Sequence, residues 1–229
     1  MKVKDSLKIY YVYGLMAIAA VSTGLLVFHS IILTFILFHI VTCLGVPVVH
    51  GWWEWRLRKN WQDLANYHVI NKRDCLIEGV GSGFVLMIGV LSGFYLMIQT
   101  GVSVNWIRSN LEEWGLTHEW LWAFAIYMSV GNSFFEELLW RGFTMERLGR
   151  LLSVQEAVML SSLFYASYHV VIGSVLFGWS WGLLVASLAW IIGCYWAYLR
   201  LKYRSLAGPW TSHLLVDVGI MISLIYWIY

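Results

Sequence analysis

Six acidic, basic or imidazole side chains stand inside long apolar segments in the second half of the sequence. They are Glu136, Glu137 and Arg141 in one segment, His169 in the next, and His213 with Asp217 in the last. Carboxyl and imidazole groups move protons in hydrolytic reactions and also bind metal ions. Because a charge inside a membrane costs roughly 2.5–3.5 kcal/mol on insertion scales, we expect these groups to converge in a shared polar site.

Helical spacing separates the two adjacent glutamates of the first segment onto different sides of a helix. Glu137 and Arg141 are four residues apart, so they share a helix face and are expected to pair. Glu136 is rotated from Glu137 by about 100° and is left without the guanidinium. It is therefore the predicted general base, with Asn132 one turn before it on the same face. Two further polar pairs are one turn apart, Tyr165 with His169 and His213 with Asp217.

The composition is that of a membrane protein. Hydrophobic residues make up 60% of the 229 residues and charged residues only 12%, whereas soluble domains carry roughly a quarter charged residues. This excludes a soluble globular protein, a disordered chain and a nucleic-acid-binding module. The three cysteines, Cys43, Cys75 and Cys194, are scattered, which fits neither a disulfide framework nor a zinc cage.

The apolar segments predict an all-α, polytopic transmembrane helix bundle of about seven spans. A span needs about 20 apolar residues. The short joints at His29–Ser30 and Gly173–Ser174 predict antiparallel neighbours. Glycine pairs in the third span, Gly79 with Gly83 and Gly89 with Gly93, predict close helix packing. The predicted spans are Ile9–Phe28, Ile31–Val49, Val80–Gln99, Trp120–Arg147, Val154–Gly173, Val175–Leu199 and Ala207–Tyr229.

Basic residues predict the orientation. With the N-terminus in the cytoplasm, all of the 15 lysines and arginines except Arg108 and Arg141 fall in inner segments, as the positive-inside rule requires. The N-terminus is therefore expected in the cytoplasm. We expect a multi-pass protein of a bacterial or archaeal plasma membrane. The inner loop Gly51–Glu78 further predicts an interfacial amphipathic helix, because apolar residues recur in it at helical spacing. These residues are Trp53, Leu57, Trp61 and Leu64.

Three families of intramembrane or metal-dependent proteases do not fit the sequence. His118-Glu119 lacks the second histidine of an HExxH zinc site. An aspartyl dyad needs two membrane aspartates, and Asp217 is the only one in a predicted span. Ser180 lies between two tryptophans, unlike the serine of a rhomboid-like site.

Three motifs resemble the CPBP (CAAX protease and bacteriocin-processing) intramembrane proteases, relatives of type II CAAX prenyl protease. Glu136 to Arg141 match EExxxR, Tyr165 to His169 match FxxxH with Tyr for Phe, and His213 to Asp217 match HxxxD. The resemblance covers Trp120 to about Tyr229. It divides the chain into N-terminal spans with the interfacial helix (1–118) and a catalytic helical core (119–229).

The resemblance implies a glutamate-dependent endopeptidase that cuts a membrane-anchored protein or lipidated peptide in the bilayer, without a cofactor and without nucleic acid. In it Glu136 would activate a water, and His169 would hold that water or relay its proton. His213 would donate to the oxyanion, with Asp217 beside it to orient its ring.

The remaining site residues have supporting roles in this interpretation. Glu137 with Arg141 would lock the helix that carries Glu136. Tyr165 would pack near His169, and Asn132 would support the face of Glu136.

Two alternatives stay open at this point. Glu136, His169 and His213 could bind zinc as a two-histidine, one-carboxylate set, although the resemblance favours a metal-free mechanism. A transporter, or a scaffold or immunity protein, could use the same polar cluster without proteolysis. His39, alone in the second span, is interpreted as a hydrogen-bonded packing residue.

Overall fold

The computed structural model describes residues 3–53 and 70–229, and every regular element in this part of the chain is helical. The all-α prediction is confirmed. The α-helices are α1 (Val3–Ser22), α2 (Ile31–Phe35), α3 (Val46–Trp53), α4 (Lys72–Gln99), α5 (Val104–Glu113), α6 (Leu121–Tyr127), α7 (Ser133–Glu137), α8 (Met145–Leu148), α9 (Val154–Phe177), α10 (Trp179–Tyr203) and α11 (Ala207–Ser223). Wider π-helical segments cover Thr23–Val27, Ile36–Gly45, Met128–Asn132, Leu138–Thr144 and Leu224–Ile228, and a 3₁₀ turn covers His118–Trp120.

Six helices of the described chain are long and apolar enough to cross a membrane. They are Leu7–Val27, Ile31–Trp52, Lys72–Gln99, Val154–Phe177, Trp179–Tyr203 and Ala207–Ile228. Each overlaps one of the predicted spans. The third begins at Lys72 rather than Val80, because Asn71 caps its first turn by accepting from the Asp74 amide.

The remaining predicted span, Trp120–Arg147, corresponds to the helical run 121–148, called the central helix below. It consists of α6, α7 and α8 joined by two π-helical segments. Its polar and charged residues make it less apolar than the other six, and they are the residues of the predicted site. Glu136 and Glu137 end α7, directly between the two π-helical segments. Because π turns shift the register of a helix, they are often found at functional sites.

Local signals explain several of the helix ends. Ser30 accepts from the Leu33 amide at the start of α2, and Ser153 forms a capping box with Glu156 at the start of α9. The joint predicted at Gly173–Ser174 is wrong, because α9 continues to Phe177. The chain turns instead at Gly178, whose φ of 88° suits glycine.

The glycines of α4 pack only near its start. A Cβ on Gly79 would lie 2.6 Å from the Gly208 carbonyl oxygen, and one on Gly83 would lie 2.8 Å from a Leu215 methyl group, so α4 and α11 touch closely there. The predicted packing at Gly89 and Gly93 is wrong, because no described atom lies within 4 Å of a Cβ at either position. The side of α4 that carries these two glycines faces away from the other described helices.

Helix α5 lies across one end of the bundle, and the sequence did not predict it. The Trp106 indole donates to the Val175 carbonyl (2.8 Å), and Arg108 Nε donates to the Ile228 carbonyl (2.6 Å). These contacts join α5 to the ends of α9 and of the last span. Ile107 and Leu111 are buried beneath it.

Two other predictions, the amphipathic helix and the domain division, are not tested by the described residues. Leu57, Trp61 and Leu64 of the predicted amphipathic helix lie outside the described residues, and no side-chain position is described for Trp53. The division at residues 118 and 119 also stays a prediction.

Candidate active site

Glu137 lies at the centre of the polar cluster. Its Oε1 accepts from Arg141 Nη1 and from His213 Nδ1, each at 2.9 Å. The predicted pairing of Glu137 with Arg141 is confirmed, and all three side chains are at most 2% exposed. One carboxylate therefore joins the central helix to α11.

The Arg141 guanidinium lies over two aromatic rings. Its Cζ is 4.3 Å from the ring centroid of Tyr165 and 5.2 Å from that of Trp196, so cation–π contacts supplement its ion pair. Tyr165 is thus a neighbour of Arg141 as well as of His169, whose ring centroid is 4.7 Å away. Gly193 leaves room for the guanidinium, since a Cβ there would be 2.9 Å from Arg141 Nη2.

Gly193→Ala should destabilise the protein by about 1–3 kcal/mol, because the added methyl group overpacks the site beside a buried cation. The free energy of unfolding in detergent measures the loss. Gly89→Ala is the matched control, since it adds the same methyl group to a helix where no described atom lies within 4 Å. Equal effects of the two substitutions would contradict the packing role of Gly193.

Glu136 occupies a different environment from Glu137. It is 3% exposed, its Oε1 accepts from the Tyr168 hydroxyl at 2.8 Å, and its Oε2 is 3.4 Å from His213 Nε2. Among the described residues Oε2 has no hydrogen-bond partner. The 3.4 Å approach is therefore a close contact without hydrogen-bond geometry. As predicted, the guanidinium pairs with Glu137 and leaves Glu136 without it.

His213 lies between the two glutamates. Because Nδ1 donates to Glu137, the neutral ring carries a lone pair on Nε2, facing Glu136 Oε2. The ring stacks on Trp196, with centroids 4.0 Å apart and planes 20° apart, which fixes its orientation. His213 was predicted to donate to the oxyanion; with Nδ1 engaged by Glu137, that donation must come from Nε2 and needs the imidazolium form.

Asp217 belongs to the same cluster but does not hold His213. Its Oδ1 is 3.7 Å from His213 Nε2, beyond hydrogen-bond distance, while its Oδ2 accepts from Asn132 Nδ2 at 3.2 Å. Glu137 rather than Asp217 thus makes the hydrogen bond that orients the His213 ring. Asn132 lies on the Glu136 side of the central helix and reaches α11.

His169 lies at the edge of the cluster. Its Nδ1 hydrogen-bonds the carbonyl of Tyr165 in its own helix at 2.9 Å, and its ring stacks on Tyr168. The partners of Glu136 in the described chain are Tyr168 and His213, and His169 is not among them. No direct contact with Glu136 in the described chain therefore supports the predicted catalytic role of His169.

Sequence reasoning missed Tyr168, which donates to Glu136 and accepts from the Trp140 indole at 3.3 Å. It interpreted His39 as a hydrogen-bonded packing residue but did not predict its partner Asn132, whose Oδ1 is 3.1 Å from His39 Nε2. The available signal for Tyr168 was its place between the two motif residues Tyr165 and His169. For His39, the signal was a histidine in an apolar span.

Tyr168→Phe should lower kcat by roughly tenfold or more with little change in KM, because Glu136 loses the hydroxyl that fixes its carboxylate and a small displacement of a reacting group is costly. Single-turnover cleavage by the purified variant measures the effect. Tyr165→Phe is the control: it removes a hydroxyl from the same helix and restores the phenylalanine of the motif. A fall in kcat of the same size in both variants would contradict the assignment.

An apolar cavity of about 180 Å³ reaches Glu136. Ile107 and Leu111 of α5 contribute to its wall, and so do Tyr168 and Glu136 of the polar cluster. Most of the other lining residues are aromatic or aliphatic. The glutamate is thus buried but accessible from a hydrocarbon-like space that α5 covers.

The donor geometry bears on metal binding. Within the described part of the chain, no three His, Cys, Asp or Glu side chains are arranged to bind one metal ion. The candidate zinc set of Glu136, His169 and His213 is therefore not assembled around a common point. These residues as placed do not fit a zinc site.

Comparison with known proteins identifies the segment that holds the cluster. Residues 118–219 match the family model of type II CAAX prenyl endopeptidase Rce1-like proteins, and all three motifs lie within the match. No curated protein and no solved structure gives a significant match to the chain. The chain is an integral multi-pass membrane protein, and its residues 118–219 are similar to the Rce1-like, type II CAAX prenyl endopeptidase family.

Proposed function

We propose that the protein is an intramembrane endopeptidase in which Glu136 activates the attacking water. The observation that carries this proposal is the inequality of the two adjacent glutamates. Glu137 Oε1 is bound by the Arg141 guanidinium and by His213 Nδ1, whereas Glu136 has no guanidinium partner in the described chain and its free Oε2 faces the His213 lone pair. A water beside these two acceptors can donate to both of them.

The chemistry follows from this arrangement. Glu136 Oε2 takes a proton from the water while the water oxygen attacks the scissile carbonyl carbon. Collapse of the tetrahedral intermediate breaks the C–N bond, and the proton returns to the leaving nitrogen through Glu136 or through His213 Nε2. Glu137 stabilises the imidazolium that the second route creates, as a buried carboxylate does behind a catalytic histidine.

The cavity indicates the class of substrate. Its wall is apolar except near the polar cluster, so the chain that enters it must be apolar next to the scissile bond. A membrane-anchored or lipidated protein has this property. His169 and Asp217 stay proposed site residues on the strength of their motifs, and the proposed mechanism uses no metal or other cofactor.

The charges indicate the side of the membrane. Basic residues mark the ends of the helices remote from α5: Lys72, Arg73, Arg147, Arg150, Arg200, Lys202 and Arg204. The positive-inside rule places that end in the cytoplasm, together with the N-terminus, and places α5 and the cavity in the outer half of the bilayer. The proposed substrates are therefore exported proteins still attached to the membrane.

The test compares the protein termini of cells that express the chain with those of cells that lack it. We expect new termini in membrane-anchored proteins, near their apolar segments, and the same cleavage by purified protein in liposomes. Unchanged termini together with a pH-dependent ion flux in those liposomes would show a transporter instead. Activity that a chelator removes and zinc restores would overturn the metal-free mechanism.

A further inference from the structure

His39 is a fully buried histidine contributed by the second span, outside the family match. Its ring lies between Phe35 and Phe135, with centroid separations of 5.1 and 5.2 Å and interplanar angles of 19° and 18°. This stack fixes the plane of the imidazole and so the direction of both ring nitrogens. The mechanism above does not use it.

Both nitrogens of His39 reach the central helix. Nδ1 is 2.7 Å from the Tyr127 hydroxyl, and Nε2 is 3.1 Å from Asn132 Oδ1. Asn132 in turn donates from Nδ2 to Asp217 Oδ2 at 3.2 Å. A hydrogen-bonded chain of four side chains therefore runs from the second span through the central helix to α11.

The donor and acceptor capacities of these groups set the direction of each hydrogen bond in this series. An ionised Asp217 only accepts, so beside it the Asn132 amide turns its Nδ2 towards Asp217 and its Oδ1 towards His39, as the structure has it. Asn132 Oδ1 then needs a donor, and His39 Nε2 carries the proton. The neutral ring is left with an acceptor at Nδ1, to which the Tyr127 hydroxyl donates.

We propose that His39 is a positioning residue of the active site. His39 fixes the Asn132 amide, and that amide in turn donates to Asp217 Oδ2. The other carboxylate oxygen, Asp217 Oδ1, then lies 3.7 Å from His213 Nε2. The role rests on the proposed function, because it matters for cleavage only if the cluster is catalytic. It gives the N-terminal spans a part in a site whose motifs all lie in the second half of the chain.

The kinetic test uses three substitutions at one position. The glutamine amide can place a donor where His39 Nε2 stands, whereas the shorter asparagine reaches only towards Tyr127 and leucine keeps volume alone. We expect His39→Leu and His39→Asn to lower kcat by roughly 10- to 100-fold with little change in KM. His39→Gln should restore most of the rate. Wild-type kcat in His39→Asn, or no advantage of Gln over Asn, overturns the proposal even if the leucine variant does not fold.

A double-variant comparison separates positioning from general packing. If His39 acts through Asn132, adding His39→Asn to Asn132→Leu should lower kcat no further. Losses that multiply would show that the two residues act independently and would overturn the proposal.

A spectroscopic test does not depend on proteolysis. In ¹⁵N-histidine-labelled protein in micelles, the His39 signals, assigned by their loss in His39→Gln, should be those of the neutral Nε2–H tautomer. Asp217→Leu should shift them, because the Asn132 amide loses the acceptor that orients it. An Nδ1–H tautomer, or signals indifferent to Asp217→Leu, overturns the proposal. Wild-type protein that cleaves nothing would instead overturn the proposed function.

Discussion

Glu136→Gln should lower the rate of cleavage by roughly 10²- to 10⁴-fold, because the amide keeps the shape of the side chain but cannot take a proton from water. The fold should persist. The Tyr168 hydroxyl can still donate to the amide oxygen, and the new NH₂ group would face the lone pair of His213 Nε2 across the present 3.4 Å contact. The measurements are kcat on a cleaved substrate and the unfolding transition in detergent.

The control for Glu136→Gln is Glu119→Gln, the same substitution at an exposed position two residues before the central helix begins. It should leave both rate and stability unchanged. Wild-type cleavage by Glu136→Gln would refute the role of Glu136 as the base. A loss of cleavage that only follows a loss of folded protein would make Glu136 a structural residue.

The convergence of the motif residues could be predicted because two general rules suffice for it. Buried charges must find partners, and residues four apart on a helix share a face. These rules gave the pairing of Glu137 with Arg141 and the separate environment of Glu136, both of which the structure contains. They also placed α11 beside the central helix, through His213.

The contacts of Tyr168 and His39 could not be predicted in the same way. They depend on the rotation of each helix about its axis, and π-helical segments in the second span and the central helix alter that rotation. Hydropathy defines a span but not which of its faces meets a neighbour. The same limit explains the wrong prediction for Gly89, which has the spacing of a packing motif but faces outward.

Helix α5 was missed for a related reason. It is short and half polar, so no hydrophobic run marks it. Its two anchors, the indole of Trp106 and the guanidinium of Arg108, donate to backbone carbonyls at the ends of other helices, and such partners leave no trace in the sequence. The cavity beneath it was therefore equally beyond prediction.

The Glu137–Arg141 pair separates stability from catalysis. Glu137→Gln should destabilise the protein by about 3–5 kcal/mol, because it leaves the fully buried guanidinium without its carboxylate. Arg141→Met should destabilise the protein by a similar amount, because it leaves the buried Glu137 carboxylate without its guanidinium. The double variant should be more stable than the sum of the two losses predicts, since neither charge is then left alone in the interior.

Cleavage should not recover with stability in the double variant. Glutamine at position 137 cannot stabilise a charged His213 as the carboxylate does, although its oxygen can still accept from Nδ1. We therefore expect the unfolding free energy to return towards the wild-type value while kcat stays low. Recovery of both quantities would show that Glu137 serves only the ion pair. Recovery of stability alone would show that Glu137 has two roles, holding Arg141 in the folded helix and stabilising the charged form of His213 during cleavage.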